Sequence, residues 1–162
     1  MLVEMKVSGV MLDPLTNMPI IVLKNNEKNK ILPIWVGIFE ANAIALKRED
    51  ITTPRPMTHD LISNIIDGIN AQVDQIVVTS LKDNTFYAEI HIRLNGAEHI
   101  IDSRPSDAIA LALRVSAPIF VEDEVIEKAN QLETVKGSEE SEAKIKKWFD
   151  GIDPDEFGKY EM

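Results

Sequence analysis

The stretch Ile101–Leu113 sets Asp102, Ser103, Arg104, Ser106 and Asp107 directly before a run without charge, Ala108-Ile-Ala-Leu-Ala-Leu113. A strand passing into a helix accounts for this pattern. Pro105 suits the first helical turn, where its missing N–H has no partner to lose. The residue before a proline is driven toward extended backbone, which puts Arg104 just outside the helix. Asp107 then falls near the third helical position, where a carboxylate can cap free N–H groups and meets the positive end of the helix dipole. A second stretch has the same design. Arg55-Pro-Met-Thr-His-Asp60 precedes Leu61, Ile62, Ile65, Ile66 and Ile69, apolar at helical spacing. Thr58 is expected to cap that helix, with His59 and Asp60 in its first turn. Two helices thus begin with an Arg-Pro pair and an Asp. The plain alternative is two well-capped helices with surface arginines.

Glu40, Asp60, Asp102 and Asp107 all fall at or near the ends of expected elements. Carboxylates beside arginines suit phosphodiester chemistry. Asp60, Asp102 and Asp107 would hold Mg²⁺ or Mn²⁺, and Arg55 and Arg104 would neutralise charge on the transferring phosphate. His59 or Glu40 would assist proton transfer. The competing reading is that these acids cap helices and pair locally with Arg55 and Arg104. A non-catalytic binding module, with the two helix N-termini as an anion pocket, is the corresponding alternative function. His91 and His99 lie in expected paired strands, where packing is their simplest role. Glycine-rich phosphate loops, Gly-x-Ser-x-Gly and His-Glu-x-x-His are all missing from the sequence.

The elements that must position these groups are legible in outline. Val3, Met5 and Val7 alternate with polar residues, the period of a half-buried strand. Ile20–Leu23 and Ile31–Val36 read as strands, and Pro33 marks the second as an edge or a bulge. A helix is expected from Ile38 to the charged end at Lys47–Asp50, and another over Thr58–Asn70. Val73–Leu81 and Thr85–Leu94 read as strands around Lys82–Asn84. Asn95-Gly96 is a strong hairpin signal, because a type I′ turn needs positive φ at both positions. It predicts that Leu94 faces Ala97, Arg93 faces Glu98, Ile92 faces His99, Ile90 faces Ile101 and Glu89 faces Asp102, with Arg93–Glu98 a solvated pair. A helix over Pro105–Val115, a short strand at Pro118–Val121 and a helix over Glu122–Asn130 follow. The sum is α+β, a largely antiparallel sheet with packed helices. It is expected as one domain over 1–130, followed by an acidic helical tail over 131–162. Trp148, Phe149, Ile152 and Phe157 of that tail need a surface to dock on.

Three motifs carry a resemblance. Leu32-Pro-Ile-Trp-Val-Gly with Glu40-Ala-x-Ala-Ile, Arg55-Pro-Met-Thr-His-Asp-Leu, and Asp102-Ser-Arg-Pro-Ser-Asp-Ala-Ile-Ala-Leu-Ala occur in the order found in the bifunctional nuclease domain family. The similarity spans about Met1–Asn130, and the tail also resembles the end of stand-alone members. One common family form has Ala where Ser103 stands. The resemblance implies an α+β domain with nuclease activity on both DNA and RNA, often oligomeric.

Composition narrows the partners. The chain has 162 residues, 44% apolar, long enough for a substantial core. The net charge of −10 argues against binding nucleic acid through a broad basic face, so a nucleic-acid partner would need a local patch. There is no cysteine, which rules out disulfides and thiolate chemistry and fits a cytoplasmic protein. No apolar run has the length of a membrane span, and the first residues do not read as a signal peptide. A homo-oligomer is expected, most simply a two-fold dimer.

Overall fold

The computed structural model describes residues 1–136, with side chains to 131. The tail segment around Trp148, Phe149, Ile152 and Phe157 lies outside the described residues. Among the described residues, seven strands and four helices are arranged as β1 (Leu2–Leu12), β2 (Pro19–Asn25), β3 (Ile31–Trp35), α1 (Ile38–Arg48), α2 (Thr58–Gly68), β4 (Gln72–Lys82), β5 (Thr85–Leu94), β6 (Ala97–Ser103), α3 (Pro105–Val115), β7 (Ile119–Glu122) and α4 (Asp123–Lys136). The strands form one sheet in the order β3-β2-β1-β7-β4-β5-β6. Each neighbouring pair is antiparallel except β4 and β7, so the fold is α+β as expected.

Local chemistry explains the register. The Asn95-Gly96 turn has positive φ at both residues, and β5 and β6 pair as the turn dictates, from Leu94 against Ala97 to Glu89 against Asp102. Asp83 and Asn84 likewise take positive φ and close the β4–β5 hairpin at Lys82 and Thr85. Pro33 sits on β3, an edge strand, where a missing N–H costs the least. Its pairing with β2 runs without a bulge. The bulges fall elsewhere, in β1 between Val7 and Gly9 and twice in β4. Alternate residues of β2 face opposite sides of the sheet. Ile21 and Leu23 join the main core, while Ile20 and Val22 join Met11 in a smaller cluster.

Helix α3 lies against α1, α2 and the sheet together. That is why Ala108–Ala112 carries no charge: all five residues are buried. A helix covered on several sides must be apolar all round. In α2 only His59, Ile62 and Ile66 turn inward. Leu61, Ile65 and Ile69 stay about half exposed, at 52%, 55% and 54%, because the helix lies on the surface and its apolar residues exceed its one packing stripe. The last helix runs to Lys136, beyond the Asn130 end expected from the sequence.

Candidate active site

Three helix beginnings meet at the side of α3. The first turn of α1 holds Glu40, that of α2 holds His59 and Asp60, and that of α3 holds Asp107. Pro105 opens α3, and Arg104 is its N-cap in extended backbone (φ −70°, ψ 143°), as its place before a proline demands. Asp107 does not cap a backbone N–H. Its Oδ1 lies 2.9 Å from His59 Nε2, and its Oδ2 accepts from Arg104 Nε at 2.8 Å. Arg104 Nη2 reaches across to Glu40 Oε1 at 2.9 Å. Glu40, Arg104, Asp107 and His59 therefore form one connected chain of charge-assisted hydrogen bonds across three helices.

The electrostatics are set by this wiring. Burial works to raise the Asp107 carboxyl, but hydrogen bonds from Arg104 and His59, with the charge on Arg104, outweigh it and hold Asp107 below the ordinary carboxylate value. The hydrogen bonds to Asp107 and Glu40 raise Arg104 further, so it stays charged. The Arg104 side chain is nevertheless 66% exposed, and its Nη1 makes no bond among the described residues. It is an oriented cation with free donors facing solvent.

His59 is buried, only 7% exposed. Its Nδ1 has no hydrogen-bond partner, yet Asn42 Oδ1 is the sole buried side-chain polar atom left unpartnered among the described residues. Nδ1 therefore reaches solvent. Nε2 is committed to the Asp107 carboxylate, which leaves Nδ1 as the ring nitrogen open to a reactant.

Gly37 makes room for Glu40. Its backbone is extended, at φ −68° and ψ 156°, so no unusual conformation calls for glycine. A Cβ there would overlap Glu40 Oε2. The glycine leaves the space in which the Glu40 carboxylate folds back toward Arg104.

The other candidates are placed differently. Asp60 accepts Arg114 Nε at 2.6 Å on Oδ1 and the Met57 N–H at 3.0 Å on Oδ2. The N-cap of α2 is thus Met57, one residue before the expected Thr58, with Asp60 reaching back to it. Burial again works upward on Asp60, and the Met57 and Arg114 bonds outweigh it, so this carboxyl too is lowered. Asp102 is exposed and faces Glu89 across the β5–β6 pair. Ile90, one residue along from Glu89, lies in the core, and Ile101 is paired with it on the same face though half exposed, so Asp102 points to the opposite face of the sheet from that core. Arg55 lines a cleft on the other side of the α2 first turn, beside Asp60 and Arg114. The expected Arg93–Glu98 pair keeps its register but not its partners. Arg93 bonds Asp74 at 2.8 Å, and Glu98 bonds His91 at 2.9 Å.

Asp60, Asp102 and Asp107 consequently share no coordination sphere. Asp60 and Asp107 each spend both oxygens on protein donors, and no set of three His, Cys, Asp or Glu side chains among the described residues is placed to hold a metal ion. The donor set does not fit Mg²⁺ or Mn²⁺, which need several free oxygens around one point.

Sequence reasoning missed Arg114. Its side chain is 6% exposed and spans Asp60, Ala110 O at 2.9 Å and Ala43 O at 3.0 Å, tying all three helices together. The signal was available: a lone cation at the end of a charge-free helix must find a partner if it is buried.

Comparison with known proteins points one way. The sequence model of the bifunctional nuclease domain matches residues 21–134. An uncharacterized protein of Mycobacterium tuberculosis strain H37Rv is 35% identical over 162 residues, covering 95% of this chain and 97% of its own. Bifunctional nuclease 2 of Arabidopsis thaliana is 28% identical over 105 residues, or 62% of this chain and 32% of the plant protein. Bifunctional nuclease 1 of Oryza sativa subsp. japonica is 27% identical over the same length and shares. Every motif residue joined above, from Glu40 to Asp107, lies inside the matched domain.

Proposed function

The chain belongs to the bifunctional nuclease domain family, and from that premise we propose that it hydrolyses phosphodiester bonds in DNA and RNA at the Glu40–Arg104–Asp107–His59 chain. The observation that carries the reading is the shared carboxylate. Asp107 orients a base on one oxygen and an exposed arginine on the other.

Each residue then has a distinct task. The guanidinium of Arg104 meets the phosphate with its free Nη1 and stabilises the charge that builds on the non-bridging oxygens. Glu40 and Asp107 hold that guanidinium in place from two sides. His59 accepts a proton at Nδ1 from the water that attacks phosphorus as the P–O bond to the leaving strand breaks, the leaving oxygen takes its proton from solvent, and Asp107 stabilises the imidazolium that results. The N-termini of α1 and α3, which adjoin at Glu40 and Arg104, add a positive field at the same point. A divalent ion has no step here, because at Asp107 it would have to displace Arg104 or His59.

A second reading has its own observation. Glu40, Asp60 and Asp107 are each engaged by a cation or an N–H, which is how a purely structural set of acids would look. On that reading the domain binds an anion at Arg104 without turning it over. The deciding experiment is hydrolysis of single-stranded DNA and RNA by chain purified to constant specific activity, with chelator, with Mg²⁺ and with Mn²⁺. Activity that co-elutes with the chain, persists in chelator and falls in Arg104→Ala supports the enzyme. Activity that separates on further chromatography supports the binding module. Activity lost in chelator and restored by metal would return a divalent ion to the mechanism.

A further inference from the structure

A cleft of about 350 Å³ opens between the end of α1, the loop before α2 and the α2 first turn. That volume is at the lower end of small-ligand sites, about 300–1,000 Å³. Its charge is out of character for this chain. Lys47 and Arg55 line it, and neither has an ion-pair partner among the described residues. The one acid in the lining, Asp60, is already neutralised by Arg114. A protein of net charge −10 thus presents here a concave surface with two unopposed cations.

The rest of the lining is divided by chemistry. Ile51, half exposed, offers most of the apolar surface beside the buried Leu46, and Thr52, Thr53 and Asn64 offer hydroxyl and amide groups. The loop is held rather than loose: Thr53 Oγ1 donates to Arg55 O at 2.7 Å, and Pro54 and Pro56 restrict the backbone on both sides of Arg55. Paired cations, a short apolar wall and a few polar groups are what a phosphorylated nucleoside requires: charge for the phosphate, hydrogen bonds for the sugar and a flat apolar surface for the base.

We infer that this cleft binds one nucleotide, its phosphate on Lys47 and Arg55 and its nucleoside against Leu46 and Ile51. Its position gives it a part in the proposed reaction, and this part rests on the nuclease reading. Asp60 lines the cleft, while His59, the preceding residue, turns to Asp107. The first turn of α2 therefore lies between the cleft and the base. The nucleotide held there is the one that adjoins the scissile phosphate, so the cleft orients the strand that Arg104 and His59 act on.

The test is a titration of the full chain, ¹⁵N-labelled, with adenosine 5′-monophosphate, adenosine and inorganic phosphate, followed by amide shifts. The monophosphate should shift Lys47, Thr52, Thr53 and Arg55 and bind more tightly than either fragment. Lys47→Ala and Arg55→Ala should each weaken it about tenfold, the scale of one charge-assisted contact to phosphate. It should also inhibit oligonucleotide hydrolysis competitively, raising KM with kcat unchanged. Should the chain hydrolyse nothing yet bind the monophosphate here, the nuclease reading fails and the nucleotide cleft stands. No shift at these residues overturns the cleft. Inorganic phosphate binding as tightly as the monophosphate overturns it as a nucleotide site. Hydrolysis that proceeds without competition overturns its place beside the scissile phosphate.

Discussion

Replacing Arg114 by methionine separates structural from catalytic carboxylates. The substitution keeps most of the side-chain volume and removes three hydrogen bonds at once, to Asp60 Oδ1, Ala110 O and Ala43 O. It also leaves Asp60 without its cation. Breaking a buried ion pair from one side costs about 3–5 kcal/mol. The Asp60 side chain is 34% exposed, so water takes over part of its solvation and the lower end applies, about 3 kcal/mol. For a chain of this size that loss lowers Tm by about 6–12 °C. Thermal unfolding by circular dichroism reads it directly. Asp60→Asn should cost less, and the double variant should cost far less than the two singles combined, because both remove the same contact. Turnover per folded molecule at saturating substrate should stay within about twofold in all three, since none touches the His59–Asp107–Arg104 chain, and any effect of the uncovered Asp60 charge on the cleft should appear in KM. An unchanged Tm, or turnover lost from Asp60→Asn with the fold intact, would refute the structural assignment and return Asp60 to the chemistry.

Other perturbations probe other links. Gly37→Ala should displace the Glu40 carboxylate from Arg104 and cut turnover about tenfold, with Tm shifted by no more than about 3 °C, since an exposed pair is worth at most about 1 kcal/mol; kinetics and melting on one preparation check both. His59→Gln should cut turnover about a hundredfold or more at equal folded fraction, because the side chain that accepts the proton is gone; single-turnover kinetics on an oligonucleotide check it. Asp60 and Asp107 both titrate below their unfolded value. Their contribution to stability is therefore complete above about pH 4 and is lost as pH falls through their lower native values. Urea unfolding from pH 6 to pH 2 should show Asp107→Asn losing less stability over that range than the unaltered chain.

What the sequence made legible was whatever local chemistry decides. The Asn95-Gly96 turn fixes the β5–β6 register because only a few residues tolerate positive φ in succession. Pro105 and the charge-free run that follows set both the start of α3 and its burial. The meeting of two Arg-Pro helix starts was foreseeable in outline, and the structure joins them through His59 and Asp107 with Glu40 adjacent. Long-range packing decided the rest. Asp102 and Asp107 are close in sequence, yet strand alternation sends Asp102 to the far face of the sheet. Asp60 and Asp107 hold equivalent helical positions but meet different arginines, Arg114 and Arg104, since α2 crosses α3. Arg55 looks equivalent to Arg104 in the motif, and lies instead in the cleft beyond the α2 first turn.

The central claim is that Asp107, shared between His59 and Arg104, organises the chemistry. Its most direct test is the turnover of Asp107→Asn on a single-stranded oligonucleotide, relative to the unaltered chain at equal folded fraction. Loss of the carboxylate leaves Arg104 held by Glu40 alone and removes the charge that orients His59, so turnover should fall about a hundredfold or more. Turnover within about threefold of the unaltered chain, or a loss that only follows the unfolded fraction, would contradict it.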